Sequence, residues 1–398
     1  MNNIGTVSNA ECVGCEACRT ICPKGAITMV NDDCGFRMPF VNRDLCVNCG
    51  KCLKTCPVEN HSFNEGDKQV YALMLKDKNS KYNSSSGGAF YWIASDFLRR
   101  EGIVYGAAFD ASTKSVQHIR VDTVAELRRL QNSKYVQSRI GESYHDARCD
   151  LEAGRSVLFS GTPCQIAGLY SFLGKQYPEL YTCDIMCYGV PSPLVLTKYL
   201  EEVTKSDIEY LNMREKSFGW KDYSMLIKCA DGQYRKKKTA DLFHLGFQTH
   251  LFYRECCYTC KFRKTDRVGD FTLGDFWGFK ESFKKDSMIN DDTGISFFMI
   301  NNKKAVSLFE RLDQSQVICE KRDLAENIRN YGFNKSMDIS DNRATFFENL
   351  KIHSYSEAIT PFLVKREEKK TSYFRMIYQK MKKRYLFRKL LHFLNIPV

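Results

Sequence analysis

Through the middle of the chain, apolar positions alternate between short strand-length runs and helical stripes. Val70 to Leu75 is a compact apolar run that predicts a strand. Ser84 to Gly88 is a small polar loop, and Ala89 to Arg100 repeats apolar residues at helical spacing. Ile103 to Phe109 predicts another strand, with Ser115 to Val121 as its pairing partner. Thr123, followed by Glu126 three residues on, is a helix start signal, so a helix is expected over Thr123 to Gln131. Ser156 to Ser160 is a short apolar strand; Gly161-Thr162-Pro163 turns the chain, and a helix is expected from Cys164 to Leu173. Beyond Gly278 the pattern weakens to a strand over Gly294 to Ile300 and a helix over Lys303 to Leu312. Strands alternating with helices predict an α/β core.

The first sixty residues read differently. Of the chain's 18 cysteines, half lie before residue 57. They form two runs of one spacing, Cys12-x2-Cys15-x2-Cys18-x3-Cys22-Pro23 and Cys46-x2-Cys49-x2-Cys52-x3-Cys56-Pro57. Soft thiolates suit iron–sulfur clusters. Three cysteines at steps of three let a tight loop wrap one face of a cubane, and the fourth, followed by proline, reaches the other cluster. The expected ligands are Cys12, Cys15, Cys18 and Cys56 for one [4Fe–4S] cluster and Cys46, Cys49, Cys52 and Cys22 for the other. Gly14 and Gly50 let the loops close on the inorganic core. Zinc sites more often show isolated Cys-x2-Cys pairs far apart, which a duplicated triple run does not fit. Cys34 lies outside both runs. The module is expected to be an α+β ferredoxin-like domain over 1–62, joined by a polar linker over 61–68 to an α/β domain over 68–345.

Composition and charge narrow the picture. The chain has 398 residues and 43% hydrophobic residues, enough for a small module and one large core. No run of ~18 apolar residues is present, and Met1 to Ser8 has neither the basic start nor the apolar stretch of a signal peptide, which predicts a cytoplasmic protein. Of a net charge of +12, most sits between Pro361 and Val398, where eleven Lys and Arg face two Glu. This belongs to an expected basic tail over 346–398. The tail has no groove-reading motif, so no nucleic-acid partner is expected. Phe374, Ile377, Tyr378, Met381 and Tyr385 form one helical stripe with basic flanks. Residues 371–394 are therefore a candidate for peripheral contact with the inner face of a membrane, with packing on the body or on a second protein of a complex as the alternative.

Three later pieces carry further chemistry: Gly161-Thr162-Pro163-Cys164-Gln165; Asp184-Ile185-Met186-Cys187-Tyr188-Gly189-Val190-Pro191-Ser192; and Cys256-Cys257-Tyr258-Thr259-Cys260 followed by Gly274-Asp275-Phe276-Trp277-Gly278. With Ser133-Lys134-Tyr135-Val136-Gln137-Ser138, and in this order, they resemble the beta subunit family of coenzyme F-420 hydrogenases and dehydrogenases. The resemblance runs from about Val70 to about Gly278, and fusion to a two-cluster ferredoxin module is similar to other family members. It implies an FAD-containing α/β domain with a third [4Fe–4S] cluster, whose ligands by resemblance are Cys164, Cys187, Cys257 and Cys260, with Cys256 as an alternative to Cys257. Tyr188 stands where relatives often have His. The resemblance supports the flavin and the clusters rather than coenzyme F-420 itself as substrate.

An FAD needs a pyrophosphate cradle. Ser86, Gly87 and Gly88 lead directly into a helix whose first N–H groups attract anions. Lys134 adds charge, Tyr135 a ring to stack, and Gly161 and Thr162 backbone N–H groups before a second helix. No Gly-x-Gly-x-x-Gly is present, so a standard Rossmann site is not expected. His244 and His250 are expected to be structural. No catalytic residue is assigned.

The expected function is a flavin-dependent iron–sulfur oxidoreductase. It would join a one-electron partner, such as a ferredoxin-like donor or a partner subunit, to an organic two-electron substrate. By association of similar bacterial chains, a link to polysaccharide synthesis is expected. The alternative is a non-catalytic electron-transfer subunit of a larger redox complex.

Overall fold

The computed structural model describes residues 2–64, 66–277, 292–328 and 333–363. The candidate membrane segment over 371–394 lies outside them. The N-terminal module is built on one hairpin, β1 (Ile27–Asn31) and β2 (Arg37–Val41), with Ile27 opposite Val41. Each cysteine run ends in a four-residue helical turn, Ala17–Thr20 and Lys51–Lys54. Both loops pass through the left-handed region at matching positions, Gly14 and Asn48 (φ 64° and 52°), then Glu16 and Gly50 (φ 64° and 73°). That double reversal lets the three cysteines of a run line one cavity.

The body is an eight-stranded mixed sheet. Its strands are β3 (Gln69–Leu75), β4 (Ile103–Asp110), β5 (Ser115–Val121), β6 (Val157–Gly161) and β7 (Leu180–Ile185). Three more strands, β8 (Ile208–Glu215), β9 (Ser224–Cys229) and β10 (Gly232–Lys237), form a separate antiparallel sheet. The large sheet is completed by β11 (Phe271–Asp275), β12 (Ser296–Ile300) and β13 (Val317–Arg322), in the order β13-β3-β12-β11-β7-β6-β4-β5. Its centre, β11-β7-β6-β4, is parallel.

Alternation along the strands fills the two faces. Ile103, Tyr105, Val157 and Phe159 pack under the helices Ser143–Glu152 and Pro163–Leu173. Val104, Leu158, Phe271 and Phe298 pack under Ala89–Arg99, whose Trp92 is buried. Burying one such large side chain stabilises the fold by roughly 1.5–3 kcal/mol. The N-terminal module joins the first of these cores through Ile4, Val13, Ala17 and Val58.

Three expectations are corrected. Thr123 to Gln131 is not an α-helix; the Thr123 hydroxyl does accept from the Glu126 N–H (3.4 Å), but only a 3-10 turn, Glu126–Arg129, follows. Leu127 and Leu130 are buried there, and the chain then reverses at Asn132 (φ 68°). The stretch over 61–68 is not a free linker. Asn64 donates from its backbone to the Arg267 carbonyl (2.7 Å), and its side chain donates to the Gly269 carbonyl (2.9 Å). Finally, the tail expected from 346 starts inside the body: Phe346, Phe347, Leu350, Tyr355 and Ile359 are buried in one core with the helix Pro193–Val203.

Candidate functional site

The sulfurs of the N-terminal module sort into two cavities. Cys12, Cys15, Cys18 and Cys56 line one, walled by Ile4, Val7, Val13 and Val58. Cys22, Cys46, Cys49 and Cys52 line the other, with Asn3, Lys24, Val47 and Lys51. The fourth cysteine of each run has crossed to the other run's cavity, as the spacing predicts. Among the described residues, no three His, Cys, Asp or Glu side chains converge as donors do around a single ion. Four cysteines line each cavity, the donor set a cubane needs. Burial pushes the Cys15 and Cys18 thiols well up, and neighbouring sulfurs add to it. Such a set stays protonated until a cation compensates it, which is what iron does. The Ile4 N–H points at Cys52 Sγ (3.3 Å).

A third set forms in the body. Cys164 is the second residue of the helix Pro163–Leu173, Cys187 follows β7, and Cys257 and Cys260 bracket a short turn. Burial raises the Cys164 thiol, and the charges that add to it are those of Cys260, Cys187 and Cys257. Cys187 is pushed up to about 12 by burial first, then by Cys257 and Cys260. Cys256 hydrogen-bonds Cys257. Of this adjacent pair, Cys257 is the one whose charge Cys164, Cys187 and Cys260 all feel.

Beside Cys187 opens a cleft of about 420 Å³ at the C-terminal ends of the parallel strands. In open α/β sheets this edge is where ligands sit. Ser86, Gly88, Lys134, Tyr135, Gly161 and Thr162 all line it. Gly87 does not: a Cβ there would lie 2.2 Å from the Leu73 carbonyl oxygen, so this glycine serves close packing on β3. Gly88 has φ 95°, and a Cβ on it would meet Leu75 Cδ1 at 2.3 Å. The Thr162 N–H is already used, donating to Gln165 Oε1 (3.0 Å) within its own helix cap. The Lys134 ammonium donates to the Gln131 carbonyl (2.6 Å), and burial pushes its pKa down to about 7. Tyr135 packs on Phe247 with ring centres 4.8 Å apart. His244 is structural, bonded to Asp241 Oδ1 and the Met213 carbonyl (both 2.8 Å).

The cleft fits a polar ligand. Asn132 Oδ1 and Arg214 Nε and Nη2 belong to lining residues and are buried without a hydrogen-bond partner. A buried polar atom in that state is satisfied by water or by a ligand. Arg214 is held by an ion pair with Asp275 and by the Tyr223 ring at 4.5 Å. Sequence reasoning missed Arg214. Its only signal was a basic residue in the apolar alternation of a strand.

Arg254 was missed as well, although a basic residue two positions before a cysteine pair is a visible signal. It is 2% exposed and joins the module to the body. Its Nε donates to the Cys12 carbonyl (2.6 Å), Nη1 to Gln137 Oε1 (2.9 Å) and Nη2 to the Arg37 carbonyl (3.1 Å). Gln137 in turn donates to the Val13 carbonyl (3.1 Å). The segment Ser133 to Ser138 therefore touches both places: Lys134 and Tyr135 face the cleft, and Gln137 grips the loop of the first cavity.

Residues 11–60 match the family model described as 4Fe-4S dicluster domain. Residues 154–324, which carry the third cysteine set and Arg214, match the model for the C terminus of the coenzyme F420 hydrogenase/dehydrogenase beta subunit. The chain thus carries, in this order, a region that matches a 4Fe-4S dicluster domain and a region that matches the C terminus of the coenzyme F420 hydrogenase/dehydrogenase beta subunit. The dicluster part is 36% identical over 53 residues to ferredoxin-type protein NapF of Haemophilus influenzae, covering 13% of this chain and 30% of that protein. A chain of the F420-reducing [NiFe] hydrogenase complex from Methanosarcina barkeri superposes with a TM-score of 0.44 at 14% identity, over 71% of this chain and 92% of that one. No helix among the described residues is long and apolar enough to cross a membrane.

Proposed function

We propose that this chain is a flavin-dependent iron–sulfur oxidoreductase. In it, electrons pass between an outer partner and an organic substrate through the two clusters of the dicluster domain, a third [4Fe–4S] cluster on Cys164, Cys187, Cys257 and Cys260, and an FAD in the cleft. The observation that carries this reading is the continuity of the sites. Cys18 of the cavity lined by Cys12, Cys15, Cys18 and Cys56, the inner one, feels the charge of Cys52 of the other, outer one. Tyr144 lies in the fields of both Cys15 and Cys164, and a Cβ on Gly168 of the Cys164 helix would sit 3.0 Å from Cys15 Sγ. Cys187 belongs to the third set and also lines the cleft.

A bound flavin supplies the exchange between single electrons and electron pairs. The chain's part is placement. The start of the helix Ala89–Arg99 and the Ser84 to Gly88 loop would hold phosphates, with Lys134 beside them. The Lys216 ammonium fixes that loop by donating to the Ser86 carbonyl (2.9 Å). Tyr135 and Phe247 wall off water on one side.

Anaerobic purification with iron and flavin analysis tests the reading. Three clusters imply about twelve irons per chain. Cys187→Ala should lose about four of them while the signals of the dicluster pair persist, and Cys256→Ala should lose none. Acid release should yield FAD. Iron near eight in the wild type, unchanged by Cys187→Ala, removes the third cluster. Iron-replete protein that takes up no added FAD removes the flavin. The alternative, an electron-transfer subunit without turnover of its own, is separated by dye reduction assays on the purified chain with no partner added.

A further inference from the structure

The two cavities of the dicluster domain meet the outside differently. Around the inner one Cys15, Cys18 and Cys56 are 6–8% exposed and Cys12 is half-buried. At the outer one, Cys49 is exposed. Val47 (59% exposed) lines it, and Leu45 (50%), the residue before Cys46, is exposed in the same loop. Scattered exposed apolar residues need no explanation, but a group of them at the open edge of a redox centre points to contact with another protein.

Positive charge predominates there. The only charged residues lining the outer cavity are Lys24 and Lys51. Exposed Arg43 and Lys54 flank it, against Asp44 as the nearby acid. Among the described residues, none of Lys24, Arg43, Lys51 or Lys54 is in an ion pair, whereas the arginines at the inner cavity, Arg19 and Arg37, are tied to the buried Glu16 (3.5 and 3.3 Å). Unpaired lysines kept around an apolar centre leave a positive field that steers an acidic protein to the edge where the outer cluster is reached.

We propose that the surface around Cys49, with exposed Leu45 and Val47, Lys24 and Lys51 at the cavity and Arg43 in the same loop, is the docking surface for a small, acidic, one-electron carrier protein. This rests on the reading of the chain as an oxidoreductase and names the partner's chemistry. Apolar rim residues provide a desolvated centre, the lysines provide orientation, and the contact brings the carrier's own centre to the Cys49 side of the chain.

The test uses the full-length holoprotein and a purified acidic two-cluster ferredoxin as probe. Binding of the two oxidised proteins is read by calorimetry at low salt and at about 0.5 M salt, where the screening length shrinks to a few ångströms. Binding should be present at low salt and fall by about tenfold or more on adding salt. The double variant Lys24→Gln/Lys51→Gln, with iron content checked as unchanged, should bind about tenfold more weakly and lose most of the salt dependence. If that variant loses iron, Arg43→Gln/Lys54→Gln, at exposed residues outside the cavity lining, replaces it and should weaken binding by several-fold. Salt-independent binding, no binding, unaltered binding in both variants, or self-association of the chain through this face would each overturn the proposal. Because binding is read without electron flow, a chain that binds the ferredoxin yet passes no electrons to flavin would count against the functional reading alone.

Discussion

The two cysteine runs of the dicluster domain are one motif in two settings. Spacing, Cys-Pro ending, short helical turn and both left-handed backbone positions repeat. The residues between the cysteines do not. Val13 is 9% exposed, whereas Val47, at the same place in the second run, is 59% exposed. Ala17 is fully buried, and its counterpart Lys51 is exposed. Glu16 is buried in an ion pair with two arginines where the second run has Gly50. The cysteines decide what the loop holds; the residues between them decide which way it faces. The first run packs toward the body and the cleft, and the second faces out.

The sharpest way to break this difference is at Arg254, which has no counterpart on the outer run. It is a buried cation with no carboxylate partner among the described residues, and the chargeable groups around it are Cys12, Cys256 and Cys257. A buried charge in that position is costly unless something negative compensates it. With clusters in place, their thiolates supply that compensation. Arg254→Met should therefore leave the carbonyls of Cys12 and Arg37 and the Gln137 side chain without their donor, and destabilise the protein by about 3 kcal/mol or more. It should also lower the reduction potential of the inner cluster, because a nearby cation favours the added electron, while the outer cluster's potential stays put. Thermal unfolding and a redox titration followed by electron paramagnetic resonance read the two effects. Arg254→Lys keeps the charge and should restore most of the potential but little of the stability. Equal shifts at both clusters would mean that the asymmetry lies elsewhere.

A smaller contrast comes from the loop glycines. Gly14 and Gly50 both have positive φ, so alanine at either is strained by roughly 1–2 kcal/mol. The neighbours differ. A Cβ on Gly14 would lie 2.4 Å from Gln137 Nε2 and 2.7 Å from Arg254 Nη1, both held by buried hydrogen bonds. A Cβ on Gly50 would meet Asn2 Nδ2 at 2.6 Å, the end of an exposed side chain near the chain start. Gly14→Ala should be the more harmful by about 1–2 kcal/mol and should loosen the module from the body. Limited proteolysis near Asn64 together with denaturant unfolding would register it. Equal losses would show that backbone strain alone sets the cost.

Much of this was legible in the sequence, for identifiable reasons. Thiol spacing is a local property, so the cavity partners follow from it directly. Strands such as Ile103–Asp110 and Val157–Gly161 are visible because central parallel strands are apolar throughout. What failed was what depends on distant neighbours. The Ser-Gly loop gives no sign that Gly87 and Gly88 are also needed for packing, because Leu73 and Leu75, which press on them, lie on another strand. Asn64 looked like linker because its carbonyl partners, at 267 and 269, are some 200 positions away in sequence. Arg254 reads as a surface residue until Cys12 and Gln137 are brought to it. Glu16 gives no sign of its left-handed backbone, whereas Asn48 is of a type that visits that region more readily.

The smallest expected effect tests the comparison at matched side chains. Val13→Ser removes buried methyl groups from a contact with the body's core and should cost about 1–2 kcal/mol. Val47→Ser makes the same chemical change in water and should stay within about 0.5 kcal/mol of the wild type. Stability alone would then call Val47 neutral. The docking proposal separates the two in the other direction: Val47→Ser should weaken binding of the acidic ferredoxin, and Val13→Ser should not, once unfolded material is corrected for. Urea unfolding and ferredoxin calorimetry on the same preparations give both numbers. If Val47→Ser costs as much stability as Val13→Ser, the outer run is packed after all and the two settings are one. If neither changes ferredoxin binding, the exposed valine is incidental and the lysines must carry the contact by themselves.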